Sequence, residues 1–366
     1  MVVDLTPAGA LALRMRSLLL PAVSEPSGVA DVVEWFGAMQ AQDLASVLWS
    51  LGARLPLYTE KSVIAALERR EGLRTWPMRG TVHLIPPADA HWMLDLMGSR
   101  ALAGAAQRRQ VLGIDEKGAE LAVDVLRGAL EGGKRLTRGA CVATLAEAGI
   151  GTAGQAAYHL LWYTSQRGVT CIAPNSGKEQ TFVLLDEWAP KPNRPDRDEA
   201  LAIMAVRYFR SHGPTTRKDF AGWMGMTATD AKRGIAAAGD TLTTVRVDGV
   251  EMHLPPELLD APRDVEAGFR ALPGFDEYLL GFKDRTLMVD DAHKQAIIPG
   301  GNGVFQATIV RSGRVIGTWK RTLASRARVV VDVQPLVPFR AADRKKAEAA
   351  LAPYARYLDR ELEVRW

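Results

Sequence analysis

Cysteine is nearly missing from this 366-residue chain: Cys141 and Cys171 are the only two. Two thiols cannot build the disulfide framework of a small secreted domain, and no Cys/His cluster has zinc-ligand spacing. No structural metal and no cofactor are therefore expected, and a reducing cytoplasm fits. Long apolar runs are also missing, so no membrane span is expected. The opening stretch MVVDLTPAGALALRMRSLLLP has an acid at Asp4 and no basic segment before an apolar block. It reads as a first helix and not as a signal peptide. The six histidines are scattered, and none pairs with a Ser or Cys in a recognisable hydrolase motif. Nor is one sign of charge in large excess: 46 Lys and Arg against 42 Asp and Glu leave a formal +4. That balance permits nucleic acid as a partner without requiring it.

What is present is a hydrophobic fraction of 47% over a length too great for one ordinary core, so two to four compact units are expected. The stretch GKRLTRGACVATLAEAGI (133–150) has a capping Thr137, an apolar face and a closing Gly149. HGPTTRKDFAGWMGMTATDAKRGIAAAG (212–239) repeats the theme, with Thr215 or Thr216 as a cap, Gly225 as a break and Thr227 capping a second helix. A hairpin follows each. GVTCIAPNSGKEQTFVLLDEW (168–188) is expected to turn at Pro-Asn-Ser-Gly, and TLTTVRVDGVEMHLPP (241–256) at Asp248-Gly249. Helix-turn-helix followed by a two-stranded wing is the winged-helix arrangement. A third copy is expected at the N-terminus, with helices over 29–51 and 60–70 before LRTWPMRGTVHLIPP.

The fold expected is α+β, mostly α. Three tandem winged-helix units (1–110, 111–190 and 191–262) would form a concave scaffold, followed by a β-rich α+β domain over 263–366. In that last domain Ser312-Gly313 is a hairpin turn in an antiparallel sheet, and RAADRKKAEAALAPYARYLDRELEVRW closes as a helix and a short strand. PGGNGVF is glycine-rich but does not open a helix, and reads as a turn with a bulge.

One stretch, GAMQAQDLASVLWSLG (37–52), sets polar residues inside a helical apolar stripe of Phe36, Met39, Leu44, Val47, Leu48 and Leu51. Its Gln40, Gln42 and Asp43 fit the solvent side of a helix end, with Gln42 or Asp43 as an N-cap.

MQAQD, RTWPMRGTVHLIPP, LPGFDEYLLGFKDR and GNGVFQATIVRSGRVIGTWKR together resemble the AlkZ/YcaQ family of bacterial DNA glycosylases, over nearly the whole chain. The resemblance implies three winged helices around a cleft and a Gln-aliphatic-Gln signature, which Gln40, Ala41 and Gln42 match. It implies monofunctional hydrolysis of the N-glycosidic bond of alkylated purines in duplex DNA, including N7-alkylguanine and bulky or crosslinked adducts. An abasic site would be left. The implied partner is duplex DNA with alkylated or crosslinked guanine, the implied protein a monomer that joins the nucleoid during repair.

The chemistry suits these side chains. Alkylation at N7 makes the base cationic and a good leaving group, so no strong general acid is needed. A carboxamide is not a general base in the carboxylate sense, but its carbonyl accepts a water hydrogen and orients the lone pair. Two glutamines one residue apart reach one water only from an N-terminal turn or an irregular segment. Asp43 and His83 are candidates for support of the cleft, with a helix cap and a structural hydrogen bond as their respective alternatives. Arg79, Lys283, Arg285, Arg326 and Arg328 are candidates for the phosphate backbone, although each could pair with a nearby acid. Trp76 fits a DNA wedge or a core position. Two other functions remain open: a winged-helix DNA-binding regulator without catalysis, and an interaction module with no DNA role.

Overall fold

The computed structural model describes residues 2–20, 26–324 and 327–366, in two compact units. One comprises 1–63 and 201–366, the other 64–200. The boundaries fall within the helices Glu60–Glu68 and Arg197–His212.

In the discontinuous unit the chain starts with a strand, Val3–Leu5, before the helix Pro7–Ser17. Thr6 caps that helix by accepting from the Gly9 amide at 3.1 Å, and Pro7 sits where a missing amide hydrogen costs nothing. Val3–Leu5 runs parallel to Thr243–Val247, which pairs antiparallel with Val250–Leu254. Thus the start of the chain is not helix alone. Leu5, Leu13, Val245, Val247, Met252 and Leu254 form one apolar cluster between helix and sheet. The turn between the two hairpin strands is Asp248-Gly249, both at positive φ (49° and 78°), which matches the right-handed strand twist.

Helix-turn-helix pairs stand before two of the hairpins. Arg217–Met224 and Ala228–Ala238 precede Thr243–Val247 and Val250–Leu254. Capping boxes start both helices (Thr216 with Asp219, Thr227 with Asp230), and Gly225 at φ 69° ends the first. In the second unit Arg138–Glu147 and Ala156–Gln166 precede Thr170–Ser176 and Glu179–Leu184. The five strands there run in the order 81–85, 73–78, 170–176, 179–184, 136–137. The first hairpin does not turn at Pro174-Asn175-Ser176. The strand carries those residues as a bulge and turns at Gly177. Thr181 Oγ1 donates to Pro174 O at 2.7 Å, and Arg74 donates to Ala173 O and Asn175 Oδ1, so hydrogen bonds substitute for the broken ladder.

The C-terminal sheet orders its strands 269–272, 307–311, 314–323, 328–335, 361–365. All pairs are antiparallel except the last, which is parallel because the helix Ala341–Tyr357 crosses over between its strands. Tyr354 and Tyr357 of that helix pack on Trp49, with ring centres 5.0 and 5.2 Å apart. Tyr357 also donates to Leu48 O at 2.8 Å, so the helix Leu44–Gly52 is built into the C-terminal core.

Candidate active site and its support

The span 29–51 is not one helix. Val29–Phe36 ends at Gly37 (φ 70°), Met39–Gln40 is extended, and Leu44–Gly52 begins anew after Asp43. The apolar spacing held because Phe36, Met39, Val47, Leu48 and Leu51 are all buried, but two stop signals, Gly37 and Asp43, interrupt it. The outcome is an irregular extended segment at a helix N-terminus. In extended backbone, alternate side chains share a face. Met39 and Ala41 are buried at 1% and 3%, while Gln40 is half-buried and Gln42 exposed. In the strand Met39–Gln40 the Gln40 side chain lies on the face opposite Met39, and Gln42, beyond the end of the strand, is exposed. An apolar residue between them is what pins the segment to the core.

Gln40 Oε1 is buried and, among the described residues, has no hydrogen-bond donor. A buried acceptor left without a donor costs about 1–3 kcal/mol. Such an atom calls for a physical reason, and a ligand or water at the site is one. Asp43 is the N-cap of Leu44–Gly52, accepting from the Ser46 amide at 3.1 Å. Beside it opens a cavity of about 230 Å³ whose walls include Asp43, Ser46, Phe275, Phe305, Lys320 and Arg321.

The motif LPGFDEYLLGFKDR supports this segment from below. Gly274 lies so close to the Phe305 carbonyl that a Cβ would stand 2.6 Å from it. Phe275 adopts φ 58°, an outlier for a bulky side chain. Asp276 caps the short helix Glu277–Leu280 through the Tyr278 amide and is gripped at both oxygens by Arg54, at 2.9 and 3.0 Å. Ser50 Oγ donates to it at 2.6 Å. Burial pushes the Asp276 carboxyl upward, but Arg54, Ser50 and the Tyr278 amide outweigh it and hold the group below the ordinary aspartate range. Glu277, wholly buried, accepts from the Gln40 amide at 3.2 Å and from Trp223 Nε1 at 2.9 Å.

The remaining expected residues have defined settings. Lys283 is exposed, forms no ion pair among the described residues, and has its amide fixed by Asp219 Oδ1 at 2.8 Å. Its stem lies over Gly222, where a Cβ would overlap it. Arg285, by contrast, is spent internally: Nε donates to Leu279 O at 2.6 Å and the guanidinium covers the Phe305 ring at 4.9 Å. Burial lowers its pKa. Arg328 pairs with Glu363 at 3.2 Å. Arg326 lies outside the described residues. Arg79 and His83 belong to the other unit. His83 is wholly buried, with Nδ1 donating to Thr81 O at 2.9 Å and Nε2 accepting from Arg79 at 3.0 Å. Trp76 is core, 1% exposed. Burial pushes the Cys141 thiol up to about 12 and raises that of Cys171 as well, so neither is poised as a nucleophile. Among the described residues no three His, Cys, Asp or Glu side chains gather as a metal site, and no helix is long and apolar enough to cross a membrane.

Glu277, His212 and Trp223 were not anticipated as site residues. The only signal for them in the sequence was the length of the motif around Glu277, because the partners stand 54 and 65 residues away from it.

A family model described as DNA glycosylase AlkZ-like matches residues 33–357. The interstrand DNA cross-link repair glycosylase of Streptomyces sahachiroi is 29% identical over 327 residues, 84% of this chain and 85% of that protein. The solved structure of the Streptomyces sahachiroi DNA glycosylase AlkZ superposes with a TM-score of 0.79 at 26% identity, covering 99% of this chain and 100% of that one. A family match spanning most of the chain and a shared architecture agree: this chain belongs to the AlkZ-like family of DNA glycosylases.

Proposed function

We propose that this protein is a monofunctional DNA glycosylase that hydrolyses the N-glycosidic bond of N7-alkylated guanine in duplex DNA, crosslinked guanine included. The observation that carries the proposal is Gln40 Oε1, a buried acceptor without a donor among the described residues, two residues before the exposed Gln42. A water hydrogen donated to that carbonyl turns the water's lone pair toward the anomeric carbon. The cationic base departs neutral with the glycosidic electrons, the sugar passes through an oxocarbenium-like state, and the oriented water adds at the anomeric carbon and releases its proton to solvent. Asp43 serves the segment as its cap, holding the backbone that follows Gln42.

The two helix-turn-helix and hairpin successions support winged-helix units over 111–190 and 191–262, with a more divergent third over 1–110. In this scheme Lys283 contacts phosphate, as does Arg79 from the turn 79–80, while Arg285 serves the protein interior. Arg328 reaches phosphate only by exchanging its Glu363 partner.

The test is base release from duplexes carrying N7-methylguanine or an N7-linked interstrand crosslink, with a Gln40→Ala, Gln42→Ala variant in parallel. Release by the native chain and loss in the variant is expected. Intact DNA binding without release of either lesion would instead support the regulator without catalysis.

A further inference from the structure

Catalysis by a carboxamide depends on aim. Gln40 Oε1 has no donor among the described residues, so no hydrogen bond to that atom sets its direction. The direction comes from the backbone of Gln40, and a buried carboxylate holds that backbone. We propose that Glu277 is a positioning residue for base excision, tethering the Gln40 main chain so that the side-chain carbonyl faces the hydrolytic water. The inference rests on Gln40 being the water-orienting group.

The geometry is specific. Glu277 is 0% exposed, and a carboxylate taken from water is costly unless donors meet both oxygens. Oε1 accepts from the Gln40 amide at 3.2 Å. Oε2 accepts from Trp223 Nε1 at 2.9 Å and from His212 Nε2 at 3.2 Å. One carboxylate thus links the catalytic segment to two helices, Arg197–His212 and Arg217–Met224. The far end of the link is rigid. The His212 ring stacks on Tyr208 at 4.6 Å and meets the edges of Phe36 and Phe282 at 5.9 and 5.5 Å. A Cβ at Gly281 would overlap that ring, which accounts for a glycine at this point of the motif. Tyr208 in turn donates to the Gly281 carbonyl at 2.7 Å.

The carboxylate is chemically necessary to this arrangement. Ionised, it accepts at both oxygens, whereas an amide accepts at one only. Glu277→Gln has nearly the same size but must abandon either the Gln40 amide or the Trp223 and His212 donors.

The experiment is a double-mutant cycle on native protein, Gln40→Ala, Glu277→Gln and the double variant. Single-turnover base release from an N7-methylguanine duplex, the dissociation constant for that duplex and the thermal midpoint are measured for each. Glu277→Gln is expected to slow release roughly 10- to 100-fold, the scale of an ångström-sized misplacement. Its dissociation constant stays within about twofold of native, since positioning affects the chemical step and not ground-state binding. In the Gln40→Ala background the substitution has no further effect. Equal slowing in both backgrounds, or no slowing in the native one, overturns the proposal. If Gln40→Ala alone leaves the rate unchanged, the role of Gln40 fails first, visibly so without any change at position 277, and the proposal falls with it. Should Glu277→Gln not fold, Trp223→Phe removes one donor from Oε2 and enters the same cycle under the same criteria.

Discussion

Arg54 and Asp276 form a buried ion pair, with side-chain exposures of 0% and 2%. Its energetic weight lies in what is left when one partner goes. Arg54→Ala strands a buried carboxylate, and a loss of about 3–5 kcal/mol in unfolding free energy is expected, read by denaturant titration. The pH dependence has a definite sign. Because the folded carboxyl titrates below the ordinary aspartate range, its contribution is complete above that range and is lost as the pH falls through the lower folded value. Thermal midpoints measured from pH 6 down to 3 should therefore fall more steeply for native protein than for Asp276→Asn, which has no carboxyl to protonate. Neither Arg54 nor Asp276 could be paired from the sequence, where they stand 222 residues apart. Arg285, nearer to Asp276 in the sequence, turns instead to Leu279 O and Phe305.

The segment between Gly37 and Leu44 is the element on which the candidate site depends. Local punctuation was legible at Asp43, Thr137, Thr216, Thr227 and the Asp248-Gly249 and Ser312-Gly313 turns, which all act through nearest-neighbour backbone geometry; the stop at Gly37 was not read. What misled was the three-and-four spacing of buried residues across 29–51, since an extended insert of the right length preserves the helical count. Asp43→Ala removes the cap on Leu44–Gly52 and is expected to cost about 1 kcal/mol of stability. It also frees the end of the glutamine segment, so base release should slow while binding to the lesion duplex holds. Normal release at reduced stability would confine Asp43 to the helix. The Pro-Asn-Ser-Gly stretch shows the opposite failure, a turn composition absorbed into a strand because Arg74 and Thr181 supply the missing bonds.

For the molecule as a whole, the mild formal charge of +4 hides how few of the expected cations are unengaged. Arg285 is internal and Arg328 paired, but Lys283 is exposed beside the capped helix Arg217–Met224. A groove of about 990 Å³ there includes Arg217, Lys218 and Lys283 in its walls. Affinity for undamaged duplex should fall with salt, and Lys283→Ala should make the slope of log K against log salt shallower by about 1, without altering sequence preference. An unchanged slope would remove Lys283 from the interface.

The sequence by itself determined the class of this molecule: its caps, its turns, its family motifs and the glutamine pair, because each depends on residues close together in the chain. Only the tertiary structure decided how the pair is held. The Gln40 amide finds its acceptor 237 residues away, and Glu277 finds His212 and Trp223 through packing that no periodicity encodes. A buried carboxylate must collect donors from wherever the fold brings them, so the support of the candidate site becomes visible only once the chain has closed around it.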